Sequence, residues 1–173
     1  MLKKVLSVLA IAVGGLAVVY LLAVLFLGRD QILVYVFGPI ENEPVHFSSL
    51  VLKPSPNQFL VCPAEYCAAK PHLNSPTYPV SSEHLKQQWI AVVTGQPGVD
   101  ADIVETTDGQ LTHIQRSSLM RYPDSITVTF LPLGETQSTL AIYSRSHYGK
   151  SDFGVNEKRI RAWLAELEVS LPR

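Results

Sequence analysis

The chain has 173 residues, enough for one domain of ordinary size and additional segments. It carries 14 basic and 15 acidic residues; without Lys3 and Lys4 at its start, 12 basic residues remain and the formal charge is −3. A body of that sign has no general electrostatic attraction for nucleic acid, and no basic stripe interrupts the pattern. The composition therefore excludes nucleic-acid binding as the expected function.

The first apolar segment, Val5 to Leu27, is long enough to cross a membrane. It holds 23 uncharged residues, and a helix of that length is about 35 Å long, against a hydrocarbon core of about 30 Å. A secretory signal peptide has a shorter apolar region, of about 7 to 15 residues, and a small-x-small cleavage site that the closing LFLGR does not supply. We expect an uncleaved signal-anchor, and the alternative is a signal peptide that is removed.

The flanking cations predict the orientation of this segment. Lys3 and Lys4 precede it, whereas Arg29 follows it and no other Lys or Arg occurs before Lys53. Basic residues stay preferentially on the cytoplasmic side. The sequence thus predicts a single span in the bacterial cytoplasmic (inner) membrane, with the N-terminus in the cytoplasm and the C-terminal domain periplasmic or otherwise extracytoplasmic.

Two cysteines, Cys62 and Cys67, enclose four residues that include a proline. Outside the cytoplasm such a close pair tends to oxidise, so we predict a disulfide. The alternative adds His72 to form a metal site, but structural zinc usually has four ligands and more closely spaced pairs. We therefore predict no metal site and no cofactor.

The chain divides into three predicted regions. Residues 1–37 form the anchor and a juxtamembrane helix that continues to Phe37, where Gly38-Pro39 ends it. Residues 38–80 are proline-rich, which forbids long regular elements and predicts an extended, wrapping segment with the cysteine pair. Residues 81–173 form the α+β domain.

The periodicity of the last region predicts its fold. A helix begins at Ser81 or Ser82 and ends at Gly95, and a closing helix covers 152–169. Alternating residues between them predict four strands joined by short turns, at 99–106, 110–119, 125–131 and 138–146. Short connections require antiparallel neighbours. The predicted fold class is α+β: a small two-layer domain with a four-stranded antiparallel meander and two helices on one face.

Several stretches together resemble a known bacterial family. They are FGP at 37–39, VHFSSL at 45–50, PN at 56–57, QRSSLMRYPDSITVTF at 115–130 and YSRSHYGKSDFGVNEKRI at 143–160. With these stretches the sequence is similar to the family catalogued as domain of unknown function 1499, over roughly 37–167. The CPxxxC element resembles one branch of it. The resemblance implies a small α+β domain, often attached to a membrane, and implies no established reaction.

The last of these stretches contains the residue types of a hydrolase. Ser146 or Ser151 is a candidate nucleophile, His147 a base and Asp152 the residue that orients the base. However, neighbouring residues on a strand, such as Ser146 and His147, point to opposite faces, and no nucleophile-elbow motif is present. We do not assign catalytic residues.

Two arginines, Arg116 and Arg145, lie on different predicted strands, and Asp124 and Asp152 lie in the turns that follow them. One interpretation pairs these charges into ion pairs that lock the sheet to the last helix. The other has the arginines bind an anionic ligand. The cations of the final helix are assigned to its solvated side: Lys158, Arg159 and Arg161.

Asn156 is predicted to lie on the inward face of the last helix together with Phe153 and Ile160, because it is three residues after the first and four residues before the second. A buried amide needs partners, and we expect them in the segment Ser144 to Gly149, with Asp152 capping the helix. On this interpretation the stretch joins the last strand to the last helix.

These observations favour a non-enzymatic binding or interaction module for a partner protein or a small anionic or lipid ligand. The alternatives are an envelope hydrolase that uses Ser146 or Ser151 and a structural subunit of a membrane assembly. The residues predicted to contact the ligand or partner are Arg116, Arg145, His147, Asp152 and Asn156.

Overall fold

The structure is a computed structural model that describes residues 1–40 and 43–171. The chain forms two compact units, Met1–Ile40 and the remainder. The predicted proline-rich segment includes Glu41 and Asn42, and the predicted α+β domain includes Pro172 and Arg173; these residues lie outside the described part.

The first unit contains helices α1, Leu2–Leu27, and α2, Arg29–Phe37. A continuous helix to Phe37 is therefore wrong: Gly28, with φ of 78°, separates the two, because glycine enters the left-handed region without steric cost. The predicted end at Gly38 is confirmed. Among the described residues, α1 alone has the length and composition of a membrane-spanning helix, which a signal sequence also has.

The second unit is built on one sheet of six strands, and the order across it is β2-β1-β6-β5-β4-β3. Four of the strands form the expected antiparallel meander, but β1 and β2 lengthen the sheet, and β1 pairs with β2 in parallel. A four-stranded, purely antiparallel sheet is thus wrong. The bounds are β1 Gln58–Cys62, β2 Leu73–Asn74, β3 Val104–Glu105, β4 Leu111–Arg116, β5 Pro123–Pro132 and β6 Ser138–Ser146.

The two additional strands come from the proline-rich segment. All five residues of β1 are buried, since one face meets the helices and the other meets the wrapping chain. A strand buried on both faces does not alternate between polar and apolar residues, so the two-residue periodicity that predicts the other strands does not predict this one. Pro56 and Pro63 lie just outside β1, so they remove no hydrogen bond from its ladder.

Helices α3, Ser82–Thr94, and α4, Val155–Ser170, pack against the same face of the sheet, here called the helix face. Ser81 caps α3 as predicted, because its hydroxyl accepts from the His84 backbone N–H. The core on this face combines Trp89, Trp163 and alternate residues of the central strands. The helix α4 begins three residues later than predicted, because Phe153 and Gly154 have positive φ. The prediction that Phe153 lies on the inward face of this helix is therefore wrong: Phe153 precedes the helix and is 97% exposed.

The opposite side of the sheet, here called the second face, is partly covered by the segment around a short 3₁₀ turn, Phe47–Ser49. Val45 and Phe47 pack there on Leu60, Ala141 and Tyr143. The wrapping chain therefore adds a partial third layer to the expected two.

The predicted disulfide between Cys62 and Cys67 is present. It closes the turn that follows β1 and joins the apolar cluster of the second face. His72, the third residue of the alternative metal site, instead accepts a hydrogen bond at Nδ1 from the Leu60 backbone N–H at 2.9 Å. Within the described residues, no group of three or more His, Cys, Asp or Glu side chains is placed to hold a metal ion.

Candidate functional site

The junction between β6 and α4 is built around the side chain of Asn156, which is fully buried on the inward face of the helix, as predicted. Its Oδ1 accepts from the hydroxyl of Ser144, and its Nδ2 lies 2.7 Å from Asp152 Oδ2 and 3.1 Å from Ser146 Oγ. It also donates to the backbone oxygen of Asn57, at 3.3 Å. The amide thus ties together three chain segments.

Asp152 fixes the start of α4, as the sequence suggested. Its carboxylate accepts from the backbone N–H of Asn156 at 2.7 Å and from that of Gly154 at 3.0 Å. Partial burial acts to raise the pKa of Asp152, but the hydrogen bonds from Asn156 and Gly154 outweigh it, so the pKa is below its ordinary value. The ionised carboxylate is therefore the form that stabilises the junction.

An ion pair between Arg159 and Asp124 completes this region. It corrects the expectation that Arg159 is solvated and the expectation that Asp124 pairs with Arg116. Arg159 is buried, with a side chain 6% exposed, and its Nη2 lies 2.5 Å from Asp124 Oδ2. It is not on the solvated side of the helix, because it follows Asn156 by three residues and shares its inward face. Its Nη1 also donates to Ser144 and Asn156, both at 3.1 Å. We call these residues the junction network: Asn57, Asp124, Ser144, Ser146, Asp152, Asn156 and Arg159.

Arg116 does not pair with Asp124 as one interpretation had it. Its Nε lies 3.1 Å from Asp100 Oδ2, in the segment between α3 and β3. Asp124 points to the helix face and Arg116 to the second face, so the sheet itself separates them.

Arg145 lies on the second face, where it lines a cavity of about 260 Å³. Its guanidinium carbon is 5.6 Å from the centre of the Tyr143 ring. The expected pair with Asp152 does not form, and among the described residues no carboxylate makes an ion pair with Arg145. The remaining lining residues come from the wrapping chain: Glu43, Pro44, Val45, His46, Ser49, Leu50 and Val51.

His147 lies two residues further along the same face, and its Nε2 is hydrogen-bonded to the hydroxyl of Ser125. Burial, and after it the neighbouring cations Arg145, Lys53 and Arg116, together lower the pKa of His147 to about 4. The imidazole is therefore neutral at pH 7. We call the group of Arg145, His147, Ser125, Lys53 and the cavity the arginine site.

The structure separates the residues of the hydrolase hypothesis. Ser146 faces the helices and bonds to Asn156, while His147 faces the other way. Ser151 accepts from the backbone N–H of Phe153, at 3.3 Å. The serine that does contact His147 is Ser125, which is 2% exposed and so is not accessible to a substrate.

Some residues of both regions escape sequence analysis. Arg159 had a usable signal, its spacing of three from Asn156 on a helix. Lys53 and Ser125 had none, because their closeness to His147 arises only when the proline-rich chain folds over the sheet. Asn57 belonged to a recognised stretch, but nothing in the sequence indicated its contact with Asn156.

The comparison with known proteins concerns the second unit, the α+β domain that follows the apolar N-terminal helix. The profile of a family described as "Protein of unknown function (DUF1499)" matches residues 41–167, most of the chain. The chain belongs to this family, as its motifs suggested. No curated protein matches the chain.

Proposed function

We propose that the second unit is a non-enzymatic binding module that takes a small anionic group at the arginine site. The observation that supports this most is Arg145, a partly buried cation that lines a cavity and has no carboxylate partner among residues 1–40 and 43–171. A guanidinium removed from water is costly unless it is paired, and its fork of donors fits a carboxylate or phosphate. A ligand anion supplies the missing partner.

The surroundings of Arg145 favour a preformed site. The Tyr143 hydroxyl donates to Gln58 Oε1 at 2.6 Å, and Gln58 in turn holds the wrapping chain through the Ser55 oxygen at 3.0 Å. These bonds hold the ring on which the guanidinium lies. Lys53 and Arg116 add positive potential around the neutral His147, which leaves an uncharged donor or acceptor for the ligand.

The proposal includes the place of this module. We propose that α1 is an uncleaved anchor in the bacterial cytoplasmic membrane, with the N-terminus in the cytoplasm and the binding unit outside it. The length of α1, its lack of charge after Lys4 and the lysines before it support this arrangement. A C-terminal reporter active only after export tests it: an inactive reporter on a well-expressed fusion contradicts the topology, and a shortened mature chain indicates a signal peptide.

Binding is tested on the full chain in detergent, by calorimetric titration with inorganic phosphate and, separately, with acetate. We expect saturable binding of one of these anions that weakens about 10- to 100-fold in Arg145→Ala, the loss of a charge-assisted hydrogen bond. The matched control is Arg161→Ala, since Arg161 is a half-exposed arginine already paired with Glu157 at 2.8 Å. Equal affinity in the Arg145 variant and the control contradicts the site.

One contact favours a second candidate function, the envelope hydrolase. A neutral histidine bonded to a serine is the core of a catalytic dyad, and His147 with Ser125 has that form. It ranks second, because Ser125 is buried and no described carboxylate orients His147. Covalent labelling of the full chain by a fluorophosphonate, lost in Ser125→Ala, would reverse the order.

A further inference from the structure

One end of the second unit carries a cluster of exposed apolar side chains. Leu119 is 76% exposed and Met120 52%, in the turn between β4 and β5, while Phe153 is 97% exposed and Val155 49%, at the start of α4. The two loops flank one cavity of about 250 Å³, which Ser117 and the tyrosines of the next paragraph also line. Elsewhere in the described part of this unit, the exposed large apolar residues are spread over separate elements: Val51, Tyr66, Val104, Leu133 and Val169.

The two loops hold these side chains outward by their own structure. Phe153 has a φ of 54°, a left-handed conformation that a non-glycine residue adopts only at a cost. Phe153 is kept there by hydrogen bonds on both sides of it, from its own N–H to Ser151 and from the Gly154 N–H to Asp152. Tyr122 and Tyr148 pack edge to face beneath the loops, with ring centres 6.2 Å apart. The exposure of Phe153 is therefore set by the junction and is not the result of a loose loop.

Basic residues accompany this apolar cluster. Lys150 and Lys158 are exposed on either side of Phe153 in the sequence, and Arg121 follows Met120. The acidic groups nearby are already engaged: Asp124 pairs with Arg159, Glu157 pairs with Arg161, and Asp152 accepts from the backbone at the start of α4. Although the chain as a whole is slightly acidic, this end is locally apolar and basic. Apolar side chains with a basic fringe are the pattern of a surface that lies on an anionic bilayer.

We propose that this end of the unit, the cluster of Leu119, Met120, Phe153 and Val155 with its lysines, docks onto the surface of an anionic lipid bilayer. This inference rests on the proposed membrane anchor. Residues 38–44 connect α2 to Val45, and seven extended residues reach on the order of 25 Å. On an anchored chain the bilayer is therefore always within reach, and a weak surface contact is sufficient.

The length of the connecting segment, residues 38–44, does not determine which end of the sheet docks onto the bilayer. Val45 is held through Gln110, which bonds to Thr129 in the middle of β5, so both ends of that strand are within reach of a bilayer. The opposite end, where Ser138 pairs with Pro132, offers Leu133, 55% exposed, and Val169, 84% exposed, which lie on separate elements. Four clustered apolar residues bury more apolar area than these two, at about 25 cal/mol per Å². Leu133 is thus a matched control for position.

The experiment places a tryptophan at each end of the sheet in the full chain, as Phe153→Trp and as Leu133→Trp. Each variant is reconstituted into vesicles of equimolar phosphatidylcholine and phosphatidylglycerol, with or without bromine atoms on the acyl chains, which quench nearby indole. We expect an about twofold loss of the added emission for Phe153→Trp, from insertion to the headgroup and acyl boundary, and none for Leu133→Trp. The native Trp89 and Trp163 are buried in the core and provide a constant background.

Three other results overturn the docking: no quenching of either variant, equal quenching of both, or quenching of Leu133→Trp alone. If neither variant is quenched, the apolar cluster is a candidate surface for a protein partner instead of a bilayer. Alkaline extraction of the same vesicles is scored separately, since release of the chain refutes the proposed anchor whatever the quenching shows. A further variant combines Phe153→Trp with Lys150→Gln and Lys158→Gln. Its added emission should be quenched less than that of Phe153→Trp alone in the vesicles with phosphatidylglycerol. In vesicles of pure phosphatidylcholine the two variants should be quenched equally.

Discussion

The junction network and the arginine site lie on opposite faces of the same strand, β6. They differ in whether their charged side chains have partners within the protein. In the junction network, Arg159 meets Asp124, and the amide of Asn156 finds partners on every side. In the arginine site, Arg145 lies beside the Tyr143 ring without an ion pair to any described carboxylate, and three cations lower the pKa of His147. Internally paired polar groups stabilise a fold, whereas cations without a carboxylate partner are available for a ligand.

The largest expected effect is on the junction network. Asp124→Ala removes one partner of a buried ion pair and leaves the Arg159 guanidinium without its carboxylate. We expect a loss of about 3 to 5 kcal/mol in the free energy of unfolding. The measurement is denaturant unfolding of the full chain in detergent, followed by far-UV circular dichroism.

The control for that prediction is Glu157→Ala, which breaks the pair with Arg161, whose two side chains are each 50% exposed. An exposed pair of this spacing contributes only about 0.3 to 0.5 kcal/mol. Equal losses in the two variants would mean that burial of Arg159 has no energetic consequence.

The second prediction concerns Asn156. Replacing it by Ala leaves the hydroxyl of Ser144 and the backbone oxygen of Asn57 without this partner, and we expect a cost of about 1 to 3 kcal/mol. Thermal unfolding is compared with Asn74→Ala, because Asn74 is exposed and shares no contact with the network. If Asn156→Ala unfolds like the parent but abolishes anion binding, Asn156 belongs to a binding site and not to a joint.

The third prediction tests the cover of the second face. Cys67→Ser breaks the disulfide that closes the turn after β1, and we expect a loss of about 1 to 3 kcal/mol, on the low side because the loop is short. Free thiols counted in denaturant without reductant should be absent from the parent. Two free thiols in exported parent protein would show that the bridge does not form in the cell.

These two regions differ in how far the sequence predicts them. The helices, the meander and the inward position of Asn156 follow from local periodicity and capping, which act over a few residues. The Arg159–Asp124 pair required knowing that two elements 35 residues apart face each other. Strand β1 escapes prediction because its residues from Phe59 to Cys62 are all apolar and show no alternation. The cations around His147 escape prediction because they come from three separate segments.

The fourth prediction concerns the arginine site, where we expect the opposite of the result in the junction network. Arg145→Ala should leave the free energy of unfolding almost unchanged. No described carboxylate loses a partner when this guanidinium is removed, so we expect a change within about 0.5 kcal/mol in unfolding free energy. Anion affinity should nevertheless fall, as described above. A loss of stability as large as that in Asp124→Ala would place Arg145 among the structural residues.

The fifth prediction concerns the pH dependence of stability that His147 imparts. Its pKa is lowered from 6.5 to about 4 in the folded chain, so between these values the unfolded chain binds a proton that the folded chain does not. Stability therefore rises with pH through this window and falls as the pH drops from 6.5 towards 4. Because the ring is partly exposed, screening reduces the contribution to about 1 kcal/mol.

His113 has a similarly lowered pKa, about 4, because of burial in the core, so His147→Gln is needed to isolate the contribution of His147. This variant should have the shallower pH profile. A bound anion would oppose the field of Arg145 and Lys53 and so raise the pKa of His147, while His113 lies on the helix face, bonded to Trp89, and should not respond. The test is an NMR titration of both imidazoles with and without inorganic phosphate. If phosphate raises neither pKa, or both equally, the anion does not bind beside His147.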